Sequence, residues 1–320
     1  MPVNTTNRRE FLRTLGLATA ATGLIAATVG AASPKPSSQP SATEMKRKTF
    51  FKISLAEWSL HSALEAKQMD NLDFPVKARK DFGLSAVEYV NKFFKEKAKD
   101  IAYLTELKKR CDDNGVTSVL IMCDDEGLMG DTDTTRRQQT VENHYRWVDA
   151  AKFLGCHAIR VNCGGVGTME EVAAAGADGL RKLSEYGKSA GINVIVENHG
   201  GYSSNAKWLS GVIKSVGLPN CGVLADFNNF CLKSDAKGCV EWYDRYKGVS
   251  EMMPFAKGVS AKTLNFDADG NCVETDYVKM LAIVKQAGYT GYMGIEYEGS
   301  QLSEYEGIKA TIRLLEKVGV

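Results

Sequence analysis

Eight short apolar runs recur along the chain from residue 48 onward, separated by helix-like stretches. They are Phe51–Ala56, Ala86–Val90, Val116–Cys123, Ala158–Asn162, Asn193–Glu197, Gly222–Asp226, Gly258–Lys262 and Tyr292–Tyr297. A continuous apolar run suits a strand buried on both faces, as in a parallel sheet. The intervening amphipathic segments include Asp100–Asn114, Arg136–Leu154, Gly176–Ala190, Asn205–Val216 and Thr275–Ala287, each followed by a glycine stop. Such alternation implies βα units. Eight units predict an α/β fold, a single closed (β/α)8 barrel, for which ~250 residues suffice. The alternative is an open doubly wound sheet, but no GxGxxG follows the first run. Gly164-Gly165-Val166-Gly167 follows the fourth run and lacks dinucleotide-loop spacing.

The barrel begins after an N-terminal region of different character. Asn7-Arg8-Arg9-Glu10-Phe11-Leu12-Arg13 carries the twin-arginine export pattern. An apolar stretch from Leu15 to about Val29 follows, and small residues at Gly30-Ala31-Ala32 suit cleavage. Residues 1–32 therefore read as a twin-arginine signal peptide, 33–47 as a flexible Pro- and Ser-containing linker, and 48–320 as the barrel. An uncleaved anchor is the rival reading, but the apolar stretch is short and rich in Ala, Thr and Gly. The expected location is the periplasm, with no stable membrane association after cleavage. This route moves folded proteins, so a metal ion would be chosen before export.

A net charge of +1 gives no support for nucleic-acid binding. None of the eight cysteines forms a CxxC pair, which argues against a zinc knuckle or redox motif. Several lie in or beside apolar runs, so free, buried thiols are expected rather than a disulfide framework.

In a parallel barrel the C-terminal strand ends share one face, where such folds place their chemistry. Three runs end in an acid there: Val194-Ile195-Val196-Glu197, Val223-Leu224-Ala225-Asp226 and Met293-Gly294-Ile295-Glu296. The same rim collects Glu57, Trp58, His61, Glu88, Asn91, Cys123, Asp124, Asp125, Arg160, Asn162, Asn198, His199, Asn229, Ser260, Lys262 and Glu298. Burying such a rim is costly unless something uses it. Carboxylates with imidazole suit a divalent metal ion: Mn²⁺, Mg²⁺, Co²⁺ or Zn²⁺. The metal ligands expected are Glu197, Asp226, Glu296 and His199. Trp58, His61, Glu88, Arg160, Asn162, His199 and Asn229 are the substrate-binding candidates. Arg160 has a second reading as a buried partner of Glu197, and Trp58 as a core residue. His144 and His157 read as structural. Asp267-Ala268-Asp269-Gly270-Asn271 starts like a calcium loop but lacks its bidentate Glu, Val278 standing there, so it reads as a turn. Lys92–Lys99 reads as a solvated basic segment.

The motifs Val196-Glu197-Asn198-His199, Leu224-Ala225-Asp226-Phe227 and Gly294-Ile295-Glu296-Tyr297 resemble the xylose isomerase-like family of TIM barrels, across about residues 50–318. The resemblance implies a divalent ion held by a Glu, an Asp, a His and a Glu from strands five to eight. Glu197, Asp226 and Glu296 match three of the four. Ser260 stands where the strand-seven His-x-Lys pattern has its histidine, and Lys262 matches the lysine. Asn229 stands where epimerases of the family have a substrate-binding histidine.

The chemistry expected from these residues is proton transfer next to a carbonyl through an enediolate. Glu197 and Glu296 work on the two faces of a sugar, and Lys262 or His199 steadies the oxyanion. The partner expected is a small-molecule sugar or glycoside. A lyase eliminating from a keto sugar or keto glycoside is the close alternative, and a non-catalytic sugar-binding barrel a further one. A metal-dependent endonuclease would need more histidines than the four present.

Overall fold

The computed structural model describes residues 48–320, so the signal-peptide reading of 1–32, the linker reading of 33–47 and the export reading lie outside the described residues. Ten strands and nine α-helices follow in chain order within that range. Eight strands close a parallel barrel: β1 (Lys52–Ala56), β2 (Ala86–Val90), β3 (Thr117–Met122), β4 (Ala158–Val161), β5 (Asn193–Glu197), β6 (Cys221–Asp226), β9 (Ala256–Thr263) and β10 (Tyr292–Tyr297). The ring closes where β1 pairs in register with β10, Lys52 opposite Tyr292 and Leu55 opposite Ile295.

The helices α1 (His61–Glu65), α2 (Phe74–Phe82), α3 (Ile101–Asn114), α4 (Thr134–Leu154), α5 (Met169–Ala190), α6 (Ala206–Val216), α7 (Arg245–Met252), α8 (Tyr277–Gln286) and α9 (Glu304–Val318) fill the connections. Their starts are set by side-chain caps. Asp100, Asp133, Asn205 and Asp276 each accept a backbone N–H from the first turn that follows. Helix α5 begins seven residues before the segment read from the sequence. A capping box of Thr168 and Glu171 starts it, and an Ala-rich stretch carries it to Gly176.

Strand alternation sorts the side chains into two apolar layers. Ala56, Val90, Leu120, Met122, Ala158, Ile195 and Leu224 meet inside the barrel. Val87, Tyr89, Ile121, Ile159, Val161, Val194, Val196, Val223 and Val259 face outward into the larger core. The inward residues near the C-terminal ends of β5, β6, β9 and β10 are charged, namely Glu197, Asp226, Lys262 and Glu296, whereas β1, β2 and β3 end in the apolar Ala56, Val90 and Met122.

One insertion departs from the (β/α)8 plan. Between β6 and α7 an exposed antiparallel hairpin pairs β7 (Cys231–Asp235) with β8 (Gly238–Trp242). Cys231 and Cys239 form a disulfide across it. The expectation of free thiols is corrected for this pair and holds for Cys111, Cys123, Cys156, Cys163, Cys221 and Cys272, all buried.

Candidate active site

Glu197 and Asp226 end β5 and β6, Glu296 is the last residue but one of β10, and their side chains turn inward. One oxygen from each lies within 4.8 Å of the others, and all three residues are buried. Backbone amides fix Asp226: Asn228 and Asn229 each donate to its Oδ1 at 2.7 Å. Asn198, next to Glu197, is turned aside rather than into the mouth. Its Oδ1 accepts from the Asp226 amide at 2.8 Å and its Nδ2 donates to the Asp226 carbonyl, stapling β5 to β6.

Two buried cations face the acids. Lys262 Nζ lies 3.4 Å from Glu296, 3.3 Å from Glu298 and 3.9 Å from Asp226. Arg160 Nη1 donates to Asp124 at 2.6 Å, and its Nε lies 3.0 Å from Glu197. The Nε hydrogen does not point along that line, so the Arg160–Glu197 contact is ionic rather than a hydrogen bond. Asn229 spans both sides, donating to Glu197 at 3.2 Å and accepting from Lys262 at 3.3 Å.

Burial and charge set the three acids apart. Removal from water drives Glu197 up to about 7, against the pull of Arg160 and with the push of Glu296. Burial likewise takes Asp226 to about 7, against Lys262. Burial also acts on Glu296, but Lys262 and the Ser260 hydroxyl outweigh it and hold that carboxyl below its ordinary range. Lys262 is buried, yet the surrounding carboxylates keep it charged, well above its usual value.

Ser260 takes the position of the expected histidine. Its Oγ lies 2.8 Å from Asp226 Oδ2 and 2.7 Å from Glu296 Oε2, inside the acidic cluster. The His199 imidazole is not brought into that cluster. It lines the mouth cavity, and its residue is exposed. Partial withdrawal from water, then the charges of Arg160 and Lys262, hold its pKa down.

The cavity above the acids measures about 360 Å³ and is lined by Trp58, Val90, Lys92, Met122, Asp124, Asp125, Arg160, Asn162, His199, Glu296 and Glu298. Lys92, read from sequence as solvated, belongs to this lining, and its ammonium lies 5.4 Å from the Trp58 ring centre. Asp125 also belongs there, with a positive φ of 58° that is uncommon for a residue with a side chain.

His61, Glu57 and Glu88 are among the rim candidates that fall outside the cavity lining. His61 stacks under Trp58 at 4.8 Å between ring centres, and its Nδ1 contacts the Trp58 carbonyl at 2.7 Å. It props the indole. Glu57 opens a 3-10 turn that turns it away from the mouth, and it accepts from the Val90 amide. Glu88 lies in the barrel interior: Ser54 donates to its Oε1 at 2.6 Å, and its Oε2 has no hydrogen-bond partner. Burial, opposed by Ser54 and reinforced by Glu296 and Glu197, raises it to about 8. A Cβ at Gly294 would stand 2.4 Å from Glu88 Oε2, which accounts for the glycine in Gly294-Ile295-Glu296. The Asp267 loop is an ordinary turn, its Oδ1 accepting from the amides of Asp269 and Asn271.

The sequence profile of the xylose isomerase-like TIM barrel family matches residues 76–318. The chain belongs to that family. No protein of curated function matches the chain. Among solved structures, an IOLI protein with a binding zinc atom is similar at 15% identity and TM-score 0.64, over 84% of this chain and 98% of that one. A D-psicose 3-epimerase solved in the presence of D-fructose matches at 14% identity and TM-score 0.61, over 84% and 99%. A Xylose isomerase-like TIM barrel protein from Mycobacterium smegmatis in complex with magnesium matches at 14% and 0.62, over 86% and 100%. At these identities the likeness is one of fold.

The three carboxylates fit a divalent ion. Oxygens bonded to one ion at ~2.0–2.6 Å stand at most about 4–5 Å apart, and the three here lie within 4.8 Å of one another.

Proposed function

We propose that this chain is an exported sugar isomerase or epimerase that transfers a proton next to a carbonyl. The observation that carries this reading is the convergence of two buried acids, Glu197 and Glu296, from separate strands beneath one barrel mouth, with the Arg160 and Lys262 cations beside them. Glu296 is held ionised, while Glu197 sits near neutrality at about 7. Pairs of acids pushed apart in this way divide into base and acid. Ionised Glu296 takes the α-proton, and Glu197 in its protonated form returns one. They stand on β10 and β5, with β9 and β6 between them around the ring, so they reach a bound substrate from different sides. The Lys262 ammonium and the Arg160 guanidinium oppose negative charge on the substrate oxygens as the enediolate forms. Trp58 offers an apolar face at the cavity wall for a sugar ring, and Asn162 and Asn229 offer amides for its hydroxyls. A divalent ion held by Glu197, Asp226 and Glu296 would supply Lewis-acid polarisation of a carbonyl oxygen.

A second reading, elimination from a keto glycoside, is favoured by a specific feature. A groove of about 600 Å³ opens beside the mouth, lined by Gly164, Gly165, Tyr202 and Leu232 among others. The groove begins two residues beyond Asn162 on one strand end and two beyond His199 on another. Its lining carries one charged residue, Glu241, and no lysine, arginine or histidine, so it suits an uncharged substituent better than an anionic one. The same proton abstraction would then expel that substituent from the β-carbon.

Product analysis on a panel of keto sugars and keto glycosides tests the reading. An epimer or an aldose–ketose pair supports it. An unsaturated sugar with a free aglycone selects the lyase, and tight binding without conversion points to a sugar-binding barrel. Export to the periplasm is supported by Arg8-Arg9 and the apolar stretch after it. The Cys231–Cys239 disulfide also suits an oxidising compartment.

A further inference from the structure

We infer that the cradle at the barrel mouth is built for a hard, oxygen-seeking cation and gives zinc little advantage over manganese, and that Ser260 is the residue that sets this preference. The inference rests on the proposed proton-transfer site and narrows the ion that would serve it.

The donor set is entirely oxygen. Glu197, Asp226 and Glu296 each contribute a carboxylate oxygen within a common 4.8 Å span. Ser260 adds a fourth oxygen, 2.8 Å from Asp226 Oδ2 and 2.7 Å from Glu296 Oε2. Among the described residues, no histidine or cysteine accompanies them. The whole chain has four histidines, and each is placed elsewhere. His61 contacts the Trp58 carbonyl, and His144 is buried on α4 with its Nδ1 against the Thr140 carbonyl. His157 precedes β4, at the opposite end of the barrel from the mouth. His199 lines the cavity but is not among the clustered ligands. The six free cysteines are absent from the cluster as well.

Ligand type governs selectivity. Imidazole and thiolate favour zinc, copper and cobalt, whereas carboxylate, hydroxyl and water suit magnesium, calcium and manganese. A serine in place of a strand-end imidazole removes the nitrogen donor without disturbing the three acids. Lys262 sharpens the demand. Its ammonium, 3.4 Å from Glu296 and 3.9 Å from Asp226, repels any entering cation, so a site without a nitrogen donor binds its ion modestly.

The test is titration calorimetry of the full chain, first stripped with chelator, against the chlorides of Mg²⁺, Ca²⁺, Mn²⁺ and Zn²⁺ in turn. One site for Mg²⁺, Ca²⁺ and Mn²⁺ is expected, with Zn²⁺ no more than about tenfold tighter than Mn²⁺. Asp226→Asn should weaken all four ions. Ser260→His should tighten Zn²⁺ by about a hundredfold or more and move Mg²⁺ by less than about tenfold. Zinc binding to the unmodified chain more than about a hundredfold tighter than Mn²⁺ overturns the inference. So does ion binding indifferent to Asp226→Asn, or the absence of binding. If Ser260→His does not fold, the unmodified chain and Asp226→Asn decide the matter. Substrate turnover that persists in chelator, with no ion bound, removes the cation inference and leaves the proton-transfer reading standing. Ion binding as described, without turnover of any sugar, does the reverse.

Discussion

Arg160 Nε lies 3.0 Å from Glu197 Oε2, with both side chains closed off from water. Arg160 also holds Asp124, so one guanidinium on β4 balances an acid just beyond β3 and one at the end of β5, the strands on either side of its own. Removing one partner of a buried pair leaves an uncompensated charge, which costs about 3–5 kcal/mol. Arg160→Met should therefore lose stability of that order in urea unfolding, and Glu197 should shift further toward its neutral form. A loss under ~1 kcal/mol would show that water or another cation already serves Glu197.

The pH dependence of stability singles out Glu88. The folded chain holds this proton up to about pH 8, whereas the unfolded chain releases it near 4.5. The stabilising contribution is therefore full below the unfolded value and is lost as pH rises through the folded one. Glu88→Gln imitates the neutral carboxyl at every pH. Thermal melts should show the variant gaining on the unmodified protein between about pH 4.5 and 8, by on the order of a few kcal/mol, and levelling off above. Parallel curves across that range would place an ionised Glu88 in the folded state.

The hairpin and the groove make a separate prediction. Leu232 stands on the wall that the Cys231–Cys239 bridge holds in place. Leu232→Asp should weaken a phenyl keto glycoside by about tenfold, the scale of one lost apolar contact. It should leave the unsubstituted keto sugar unchanged. Equal loss for both ligands, read by calorimetry, would mean that the groove is not a subsite.

The fold was legible because each parallel strand is an apolar run and the glycine stops mark where helices end. Helix α5 begins earlier than periodicity indicated. Its first turns are Ala-rich and give little contrast between faces, and Thr168 with Glu171 was the signal to read. The hairpin escaped because its strands are short, polar and exposed. Cysteine spacing alone does not decide pairing, so the bridge at Cys231 was not foreseen. Within the site, Glu197, Asp226 and Glu296 were readable as acids closing apolar runs. Which neighbours turn inward was not. Glu197 and His199 share a face while Asn198 lies between them, and a 3-10 turn takes Glu57 out of register with the mouth. Nor did sequence show that Lys92 reaches Trp58 from the next strand's loop.

The central claim is that Glu296 and Glu197 act as base and acid on the carbon next to a carbonyl. Incorporation of solvent deuterium into a keto sugar reads that step directly. The unmodified protein should exchange the α-hydrogen, and Glu296→Gln should slow this by about 10²–10⁴-fold with its thermal melt retained. Exchange at the unmodified rate in Glu296→Gln would contradict the account.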